Sequence, residues 1–505
     1  MLSGARTRCT LSRDDVIPRV RRIARVARSA SFCAKTLLRS ADTRARKGDF
    51  AWLSDDLVAM GPVYIKIGQI LSSRPDVIPY TIAKQLETLQ SEVPPESFET
   101  VCQVFREDMG YEIGDYFTQV DHVPLASASI GQVHRAVYKG QSVVIKVQRP
   151  KVRDEYANEL DALELIASSY AALDPLRSDE AMMVLRDLRS TLGSETDFIV
   201  EMRNMRMFRK MFEDNDSVVV PRVVKPLCST RVLTMEYLPS TKITDLSESI
   251  PSLTDSEKVW ISQELLKSFV DGLVNHGWMH CDPHPGNIGI DASGRIVMYD
   301  FGIVGRVDDK LRSAMRELLL SAYHRSKSSF SNALIKGNLV VSKRGGEIDS
   351  LDLIVLDRLT SYLFEYMETL DLRKFLDRLL GDDLIDVEAL PFKVNNELFF
   401  LVRSFGVLEG VCRSVSPQFQ YTSMVSSMMF DMLDIQTLVD KVQYDFRTVT
   451  QGSSAQGRET LSNVQSVELR VRHLTTQMER DRRSGKLSVV ISVAMYLATV
   501  IYLTL

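Results

Sequence analysis

The sequence predicts an α+β fold with two lobes, a small lobe rich in β-strands and a larger helical lobe that follows it. The stretch "IGQVHRAVYKGQSVVIKVQRP" (130–150) alternates apolar and polar residues around Lys139-Gly140, which is typical of a β-hairpin. Another strand is predicted in "STRVLTMEYL" (229–238), which leads into a connector. Apolar residues then recur at helical spacing over 255–277 and from 308 to 440.

The composition is typical of a globular protein with a proper core. Of 505 residues, 45% are hydrophobic and 25% are charged, so the chain is long enough for two or three domains. The net charge of -4 gives no reason to expect nucleic-acid binding. The six cysteines, at positions 9, 33, 102, 228, 281 and 412, show no CxxC spacing. This argues for a reducing compartment and against a disulfide framework or a zinc ribbon.

The N-terminal segment is strongly basic. Residues 1–50 contain 13 Lys/Arg and 4 Asp/Glu, and from 16 to 38 apolar residues recur among arginines. This pattern predicts an amphipathic basic helix. Two interpretations stay open: a membrane-surface helix or organellar presequence, and a solvated helix packed on the domain. The Arg-rich start suits a mitochondrion or a plastid, although a bacterial membrane fits as well.

The C-terminal segment predicts a membrane anchor. After a cluster of basic residues, the chain runs "LSVVISVAMYLATVIYLTL" (487–505) without a charge. A helix of this length would span about 28 Å, close to the thickness of the hydrocarbon core of a bilayer. The basic flank should remain on the same side as the main domain. We therefore expect a tail-anchored membrane protein.

The stretch "HCDPHPGN" (280–287) allows two interpretations. Two histidines, a thiol and a carboxylate would suit a metal site, but no second His or Cys cluster accompanies them. Alternatively, Asp282 is the acid of a phosphotransferase catalytic loop and Asn287 a metal ligand. "NIGIDASGRIVMYDFG" (287–302) predicts a hairpin ending in Asp300, whose carboxylate would hold Mg²⁺ on nucleotide phosphates. This order of lobes, loop and hairpin is that of a protein-kinase-like fold.

A lysine and a loop in the small lobe complete this pattern. Lys146 is the only cation in an apolar strand, where a lysine is costly unless it is paired, so a phosphate contact explains it best. The kinase frame Gly-x-Gly-x-x-Gly-x-Val reads "ASASIGQV" (126–133) here, with Ala126, Ala128, Gly131 and Val133 at the framed positions. The two alanines disfavour positive φ and so stiffen the loop.

The chain resembles the UbiB-like atypical kinases, also called ADCK proteins, which are linked to ubiquinone and other prenyl-lipid metabolism. The resemblance covers about residues 50–430. It is carried by "GPVYIKIGQILSSRPDVIP" (61–79), "LQSEVPP" (89–95), "PLASASIGQVHRA" (124–136), "VVIKVQRP" (143–150), "ETDFIVEMRN" (195–204), "HCDPHPGN" (280–287), "DFG" (300–302) and "LVRSFGVLEGVCRSVSP" (401–417).

The resemblance implies roles for two lysine–glutamate pairs. It places the Lys-x-Gly-Gln motif, with Lys66 and Gln69 on one helix face, on a helical extension over the active cleft. Glu195 of the Glu-x-Asp motif would pair with Lys66. Glu201 would pair with Lys146. Without the family pattern, these acidic residues would suit a solvated helix face.

The resemblance also assigns the remaining site residues. Asp282, Asn287 and Asp300 take kinase-like roles with ATP and Mg²⁺ as cofactors, and Cys281 falls at a variable position. The backbone of Glu236 to Leu238 would read the adenine base. The loop is thus interpreted as an ATP–Mg²⁺ site, in which His280 orients the loop.

The expected organisation has six segments. They are a basic N-terminal segment (1–50), a helical extension (51–120), a kinase-like N-lobe (121–238), a helical C-lobe (239–440), a polar linker (441–485) and a transmembrane helix (486–505).

Three functions compete on these residues. The first is a membrane-bound atypical kinase or ATPase that supports prenyl-quinone or lipid metabolism, with quinone-biosynthesis enzymes as partners. The second is a true protein kinase, which the alanine-containing loop and the cleft-covering extension disfavour. The third is a non-catalytic, nucleotide-gated lipid-binding scaffold. The presence of all catalytic residues favours the first.

Overall fold

The protein is described by a computed structural model that covers most of residues 13–419. The gaps in this range are 46–49, 73–77, 79, 87–88, 90–93, 172–173, 247–249, 251–252, 325, 344–347, 370–390 and 418. The chain divides into two compact units, 1–426 and 427–505. The predicted linker and the predicted transmembrane helix both fall in the second unit, outside the described residues. Within the described residues, no helix has the length and apolar character needed to cross a membrane.

Helices dominate the described part of the chain. They are α1 (Arg13–Ala45), α2 (Ala51–Met60), α3 (Pro62–Ser72), α4 (Tyr80–Leu86), α5 (Phe98–Met109), α6 (Ile113–Tyr116), α7 (Val152–Tyr170), α8 (Pro175–Glu195), α9 (Phe198–Met211), α10 (Asp255–Asp271), α11 (Asp309–His324), α12 (Lys327–Lys336), α13 (Ser350–Thr369) and α14 (Asn396–Val415).

The strands are short outside the small lobe. They are β1 (Gln119–Val120), β2 (Ala126–Ser127), β3 (Gly131–Tyr138), β4 (Gln141–Gln148), β5 (Val218–Val219), β6 (Val232–Glu236), β7 (Ser240–Lys242), β8 (Trp278–His280), β9 (Ile288–Asp291), β10 (Ile296–Met298), β11 (Val304–Arg306), β12 (Val340–Ser342) and β13 (Phe392–Val394).

The small lobe is built on the predicted hairpin. β3 and β4 pair antiparallel in a sheet of order β1-β3-β4-β6, with β2 beside β3. Lys139 and Gly140 both have positive φ, 49° and 76°, as a two-residue turn between twisted strands requires. One face of the sheet packs on α5, where Phe105 and Ile145 are fully buried. The hairpin and the strand at β6 are confirmed.

The second predicted hairpin lies in the helical lobe. β9 and β10 pair antiparallel within a sheet of order β5-β10-β9-β7. The Asp291 carboxylate accepts hydrogen bonds from the backbone N–H groups of Ser293 and Arg295, and Gly294 has φ of 83°. The Asp-Ala-Ser-Gly turn is therefore confirmed. It matters because it fixes where the chain leaves β10, just before Asp300.

Two expectations for the helical lobe need correction. The helix predicted over 255–277 ends at Asp271 and continues as a π-helical turn, Gly272–His276, before Gly277 takes a φ of 71°. The region from 308 to 440 is also not uniformly helical, because β12 and β13 pair antiparallel within it. Strands of three residues show too little alternation to be separated from helical periodicity in the sequence.

The basic N-terminal helix packs on the domain. Glu159 of α7 is buried and accepts hydrogen bonds from Arg25 Nε at 3.1 Å and Arg28 Nη2 at 2.7 Å. Tyr64 of α3 donates to Ser29 Oγ at 2.7 Å and lies 3.3 Å from the same carboxylate. One face of α1 is thus held by ion pairs and hydrogen bonds to the buried Glu159. Elsewhere on the helix Ile23, Leu37 and Leu38 are exposed.

We expect Glu159→Gln to lower the free energy of unfolding by about 1–3 kcal/mol, because it leaves two arginines without their buried counter-charge. Glu164→Gln is the matched control on the same helix, since its ion pair with Arg189 is more exposed. It should change stability by about 0.5 kcal/mol or less. Urea denaturation measures both. Equal effects would contradict an anchoring role for Glu159.

Candidate active site

The centre of the site is a buried lysine between two carboxylates. Lys146 on β4 lies 2.8 Å and 2.9 Å from the two carboxylate oxygens of Glu201 on α9. Its Nζ atom is also 3.2 Å from Asp300 Oδ2 and 5.1 Å from the ring centroid of Phe198. The Lys146 and Glu201 side chains are only 18% and 3% exposed. A strand, a helix and the chain after β10 therefore meet at one cation.

These charges shift one another's pKa values. Burial is the largest influence on each group. For Asp300, attraction to Lys146, together with a hydrogen bond from the Gly302 N–H, outweighs burial and lowers the pKa to about 2. For Lys146, attraction to Asp300 and Glu201 outweighs burial and raises the pKa. Burial raises the pKa of Glu201 to about 7, although Lys146 opposes the shift. Asp300 is therefore ionised over the physiological pH range.

His280 joins the catalytic loop to the segment that carries Asp300. It lies at the end of β8 and its Nε2 atom is 2.6 Å from the Asp300 carbonyl oxygen, while the Asp282 N–H donates to Nδ1 at 3.2 Å. This pattern needs a neutral ring that donates from Nε2. Burial lowers the pKa of His280, in agreement with the neutral form. His280 therefore lies where the expected role of orienting the loop requires it.

The other candidate zinc ligands of the loop face different partners. Cys281 Sγ lies 3.6 Å from the Met279 carbonyl oxygen, and His284 Nδ1 accepts from the Gly286 N–H at 3.1 Å. Both ring nitrogens of His280 are already engaged. Over the described residues, no group of three His, Cys, Asp or Glu side chains could hold a metal ion.

Asn287 and Asp300 are the residues of the site whose side-chain oxygens would hold Mg²⁺ with a nucleotide. The β9–β10 register pairs Ile288 with Met298, and the Tyr299 N–H donates to the Asn287 carbonyl oxygen at 3.0 Å. This hairpin therefore places Asn287 beside Asp300, and both line the same cavity. Mg²⁺ is usually held by one or two carboxylates together with substrate phosphates, so a single carboxylate and an amide fit that ion.

The predicted nucleotide loop (126–133) has its four framed residues, Ala126, Ala128, Gly131 and Val133, at the cavity wall. β2 supplies Ala126, and the Ala128 N–H donates to the Gly131 carbonyl oxygen at 2.9 Å, closing a turn. None of residues 126–131 has a positive φ. Gly131 is required for a different reason, since a Cβ atom there would lie 2.6 Å from the Val147 carbonyl oxygen. Val133 pairs with Lys146 across the hairpin and also lines the cavity.

The predicted adenine-reading connector also borders the cavity. Glu236 pairs with Val143, and the Tyr237 N–H donates to the Ser142 carbonyl oxygen at 3.1 Å. The Glu236 carboxylate accepts from the Arg222 N–H at 3.2 Å, and the Glu236 N–H donates to the Arg222 carbonyl oxygen at 2.8 Å. Glu236 and Leu238 line the cavity at the end of β6. Their predicted adenine contacts stay a prediction.

The extension brings a second lysine into the same cavity. Lys66 on α3 lies 2.8 Å from Glu195 Oε2 at the end of α8, and the side chains are 15% and 3% exposed. Burial lowers the pKa of Lys66, but Glu195, with Asp282 and Asp300 further away, raises it above its usual value. Gln69 instead donates to the Leu89 carbonyl oxygen at 3.0 Å. The expected Lys66–Glu195 pair is therefore present.

The two acids of the Glu-x-Asp motif differ in environment. Although Lys66 is close in distance, neither Glu195 oxygen has a partner in hydrogen-bond geometry among the described residues. Burial is the main cause that raises the pKa of Glu195. Asp197 instead caps α9, accepting from the Ile199 N–H at 3.0 Å. Asp197 thus has a structural position, whereas Glu195 faces the extension.

Two polar residues of the site were not singled out from the sequence. Asn204 donates to the Phe301 carbonyl oxygen at 2.9 Å. It follows Glu201 by three residues on α9, and this helical spacing could have indicated that both face the site. Arg149, directly after β4, contacts the nucleotide loop. Its signal was weaker, because a charged residue at a strand end is usually solvated.

The site opens into a large cavity of about 1440 Å³. Besides the polar residues above, its wall includes apolar side chains from the helical lobe. They are Met279, Ile303, Val307, Leu311, Leu401 and Val411. The cavity thus reaches from the extension and the nucleotide loop to α14.

Comparisons with known proteins decide the family. Residues 88–334 match the ABC1 atypical kinase-like domain. An uncharacterized Synechocystis protein is 30% identical over 455 residues, which cover 86% of this chain and 75% of that protein. The chain belongs to the ABC1 atypical kinase-like family. The predicted UbiB/ADCK resemblance is therefore confirmed.

Other ABC1 relatives are named as kinases. The chloroplastic protein ACTIVITY OF BC1 COMPLEX KINASE 8 of Arabidopsis thaliana is 31% identical over 413 residues, covering 76% of this chain. This chain spans about half of that protein, 54% of its length. A Mycobacterium tuberculosis protein solved in complex with erythromycin matches 76% of this chain and 94% of its own, with a TM-score of 0.50 and 21% identity. The kinase-like α+β fold is thereby confirmed.

We expect Lys66→Ala and Glu195→Ala each to destabilise this ABC1 protein and to be non-additive when combined. Each single change leaves a buried charge unpaired, which costs several kcal/mol at full burial and less here because Lys66 is partly exposed. A coupling of about 0.5–3 kcal/mol is expected from a double-mutant cycle of unfolding free energies. Hydrogen exchange of α3 should also accelerate.

The exposed pair of Lys336 and Glu317 provides the control for this cycle. Its two alanine variants should each stay within about 0.5 kcal/mol of the parent and combine additively. If the Lys66 and Glu195 variants behave in the same way, Lys66 is a solvated helix lysine and the buried pair is not a coupled unit.

Proposed function

We propose that this chain is a membrane-anchored atypical kinase or ATPase that binds ATP with Mg²⁺ and supports prenyl-quinone or lipid metabolism. The observation that carries the proposal is the position of Lys146 between Glu201 and Asp300, with Asn287 beside Asp300 and all of them at the wall of one cavity. A buried lysine that keeps its charge next to an ionised carboxylate suits the binding of phosphates and their metal ion.

The proposed roles follow from the positions of the side chains. Lys146 would bind the α- and β-phosphates, and Glu201 would fix its rotamer by accepting two hydrogen bonds. Asp300 and Asn287 would hold Mg²⁺, which neutralises phosphate charge when it is bound. Asp282, on the loop that His280 holds, would accept the proton of an attacking hydroxyl group or water. Each role uses a residue predicted from the sequence.

The extension favours a small or lipidic acceptor over a protein substrate. Lys66 and Gln69 line the same cavity as Asp282, so α3 occupies space in front of the catalytic loop. The apolar wall formed by residues such as Leu311 and Leu401 suits a molecule with hydrophobic character. The family link to prenyl-lipid metabolism supports the same class, and quinone-biosynthesis enzymes are the proposed partners.

Membrane attachment is proposed through residues 486–505. Within this range, 487–505 carry no charge and are long enough to span a bilayer as a helix. The names of the Arabidopsis relatives place those proteins in the chloroplast. Together with the basic segment 1–50, this supports an organellar membrane, plastid or mitochondrial, as the location.

A nucleotide-gated scaffold is the second candidate. The observation that favours it is the loop with two alanines and no positive φ, which differs from the flexible loop of active kinases. Such a protein would bind ATP and change conformation without turnover. The two candidates share the nucleotide site and differ only in whether ADP is released.

We expect ATP to stabilise the protein only when Mg²⁺ or Mn²⁺ is present. At 100 times the dissociation constant, ligand binding adds about 2.7 kcal/mol to the stability. Thermal shift with ATP, with and without EDTA, measures the effect. Asp300→Asn should abolish it, whereas Asp214→Asn, an exposed carboxylate outside the cavity wall, should retain it. Equal stabilisation in EDTA would contradict the metal assignment.

Turnover separates the two candidates. ADP release should be detectable from the purified full-length chain and should rise with detergent-solubilised quinone precursors or anionic lipids. Asp282→Asn should eliminate the release while leaving nucleotide binding in place. Binding of ATP without any release of ADP would favour the scaffold.

We expect deletion of 487–505 to move the protein from the carbonate-resistant membrane fraction to a soluble or carbonate-extractable one. A buried helix of about 19 uncharged, mostly apolar residues outweighs surface attachment by a basic helix. Remaining association should be salt-sensitive, because it would depend on the arginines of segment 1–50. A truncated protein that stays resistant to carbonate would show that another anchor exists.

A further inference from the structure

Arg149 contacts the nucleotide loop and residues 94–96 of the extension at the same time. Its Nε atom donates to the Ala128 carbonyl oxygen at 2.9 Å, and Nη2 donates to Ser127 Oγ at 2.9 Å. Nη2 also donates to the Pro94 carbonyl oxygen at 2.7 Å, and Nη1 lies 2.8 Å from Glu96 Oε1. The side chain is only 11% exposed. One planar guanidinium group therefore bridges two separate chain segments.

Gln132 makes a second bridge between the same segments. The Glu96 N–H donates to Gln132 Oε1 at 2.7 Å, and Gln132 Nε2 donates to the Glu96 carbonyl oxygen at 3.2 Å. Gln132 is 1% exposed. The backbone N–H of Arg149 also donates to the Ile130 carbonyl oxygen at 2.8 Å. The loop is thus held to residues 94–96 on both sides of its turn.

Residues 94–96 lie within the extension, between the segment that carries α2, α3 and α4 and the helix α5. Upstream, Leu89 accepts a hydrogen bond from Gln69, which shares a helix face with Lys66. Downstream, α5 begins at Phe98 and packs on the small-lobe sheet. A movement of the extension that displaced this connection would break the contacts of Arg149 and Gln132 with it.

We propose that Arg149 is a positioning residue that couples the nucleotide loop to the extension, so that the two segments are ordered together. Arginine suits this role because its fork donates several hydrogen bonds in one fixed plane, which a lysine cannot do. A loop that is already ordered before the ligand binds loses less conformational entropy on binding. The effect on nucleotide affinity rests on the proposed ATP–Mg²⁺ function, whereas the ordering of the two segments does not.

The test compares Arg149→Gln with Arg231→Gln in the full-length protein. Arg231 lies in the same lobe and pairs with two carboxylates of α5, Asp108 at 2.7 Å and Glu107 at 3.0 Å, so its side chain binds α5 and not the nucleotide loop. Hydrogen exchange of the Glu96 and Ser97 amides and of 127–131 should become at least about ten-fold faster in Arg149→Gln alone. ATP–Mg²⁺ affinity should fall at least about five-fold, and Arg231→Gln should leave it unchanged.

Melting temperatures of both variants separate positioning from general destabilisation. If nucleotide affinity falls equally in the two variants, or if the exchange of 127–131 is unchanged in Arg149→Gln, the proposal is wrong. Stronger nucleotide binding by Arg149→Gln would also overturn it. If the parent protein binds no ATP, the proposed function fails, and the exchange rates alone decide whether the two segments are coupled.

Two further variants guard against a folding defect in Arg149→Gln. Glu96→Gln removes only the more exposed partner of the bridge, whose side chain is 38% exposed, and should produce the same pattern with about two- to three-fold changes. Arg149→Lys keeps the charge next to Glu96 but loses the fork, so it should recover melting temperature more than nucleotide affinity. Full recovery of both by lysine would contradict the role of the fork.

Discussion

The rest of the site depends on the sharing of Lys146 between Glu201 and Asp300. A buried ammonium group is costly unless opposite charges and hydrogen bonds compensate for the lost water. Here Lys146 Nζ lies 2.8 Å from a carboxylate oxygen of Glu201 on α9 and 3.2 Å from one of Asp300, which follows the β9–β10 hairpin. The small-lobe sheet, α9 and the β9–β10 hairpin must therefore hold fixed relative positions. Asn204 and His280 reinforce this by binding the backbone carbonyls of Phe301 and Asp300.

The second buried pair has a different character. Glu201 accepts two hydrogen bonds from its lysine, whereas neither oxygen of Glu195 has one in good geometry among the described residues. A buried carboxylate in this condition has lost its water and gained mainly the attraction of Lys66. The first pair thus joins β4 to α9 through two contacts, whereas the second joins α3 to α8 through one contact of 2.8 Å. The extension is also held by apolar packing, since Ile67 of α3 lies in one buried cluster with Leu160 of α7.

Local patterns could be predicted from the sequence, and contacts between distant segments could not. The hairpins at Lys139-Gly140 and at Gly294 could be predicted from the alternation of apolar and polar residues and from their turn residues. These hairpins position Lys146, Asn287 and Asp300 at the site. The pairing of Lys66 with Glu195 came only through family resemblance, because nothing local relates two residues so far apart. The strand pair β12–β13 was missed for the same reason, since its strands are short and separated by about fifty residues.

The nucleotide loop is stiffened in two independent ways. Alanine at positions 126 and 128 disfavours positive φ within the chain itself, and Arg149 fixes the Ala128 carbonyl oxygen from outside. A glycine-rich loop can fold over a nucleotide without moving anything else. This loop cannot shift far unless the contacts of Arg149 and Gln132 with Glu96 break or residues 94–96 move with it. Access to the site therefore depends on the position of the extension. The extension is for this reason a structural part of the site.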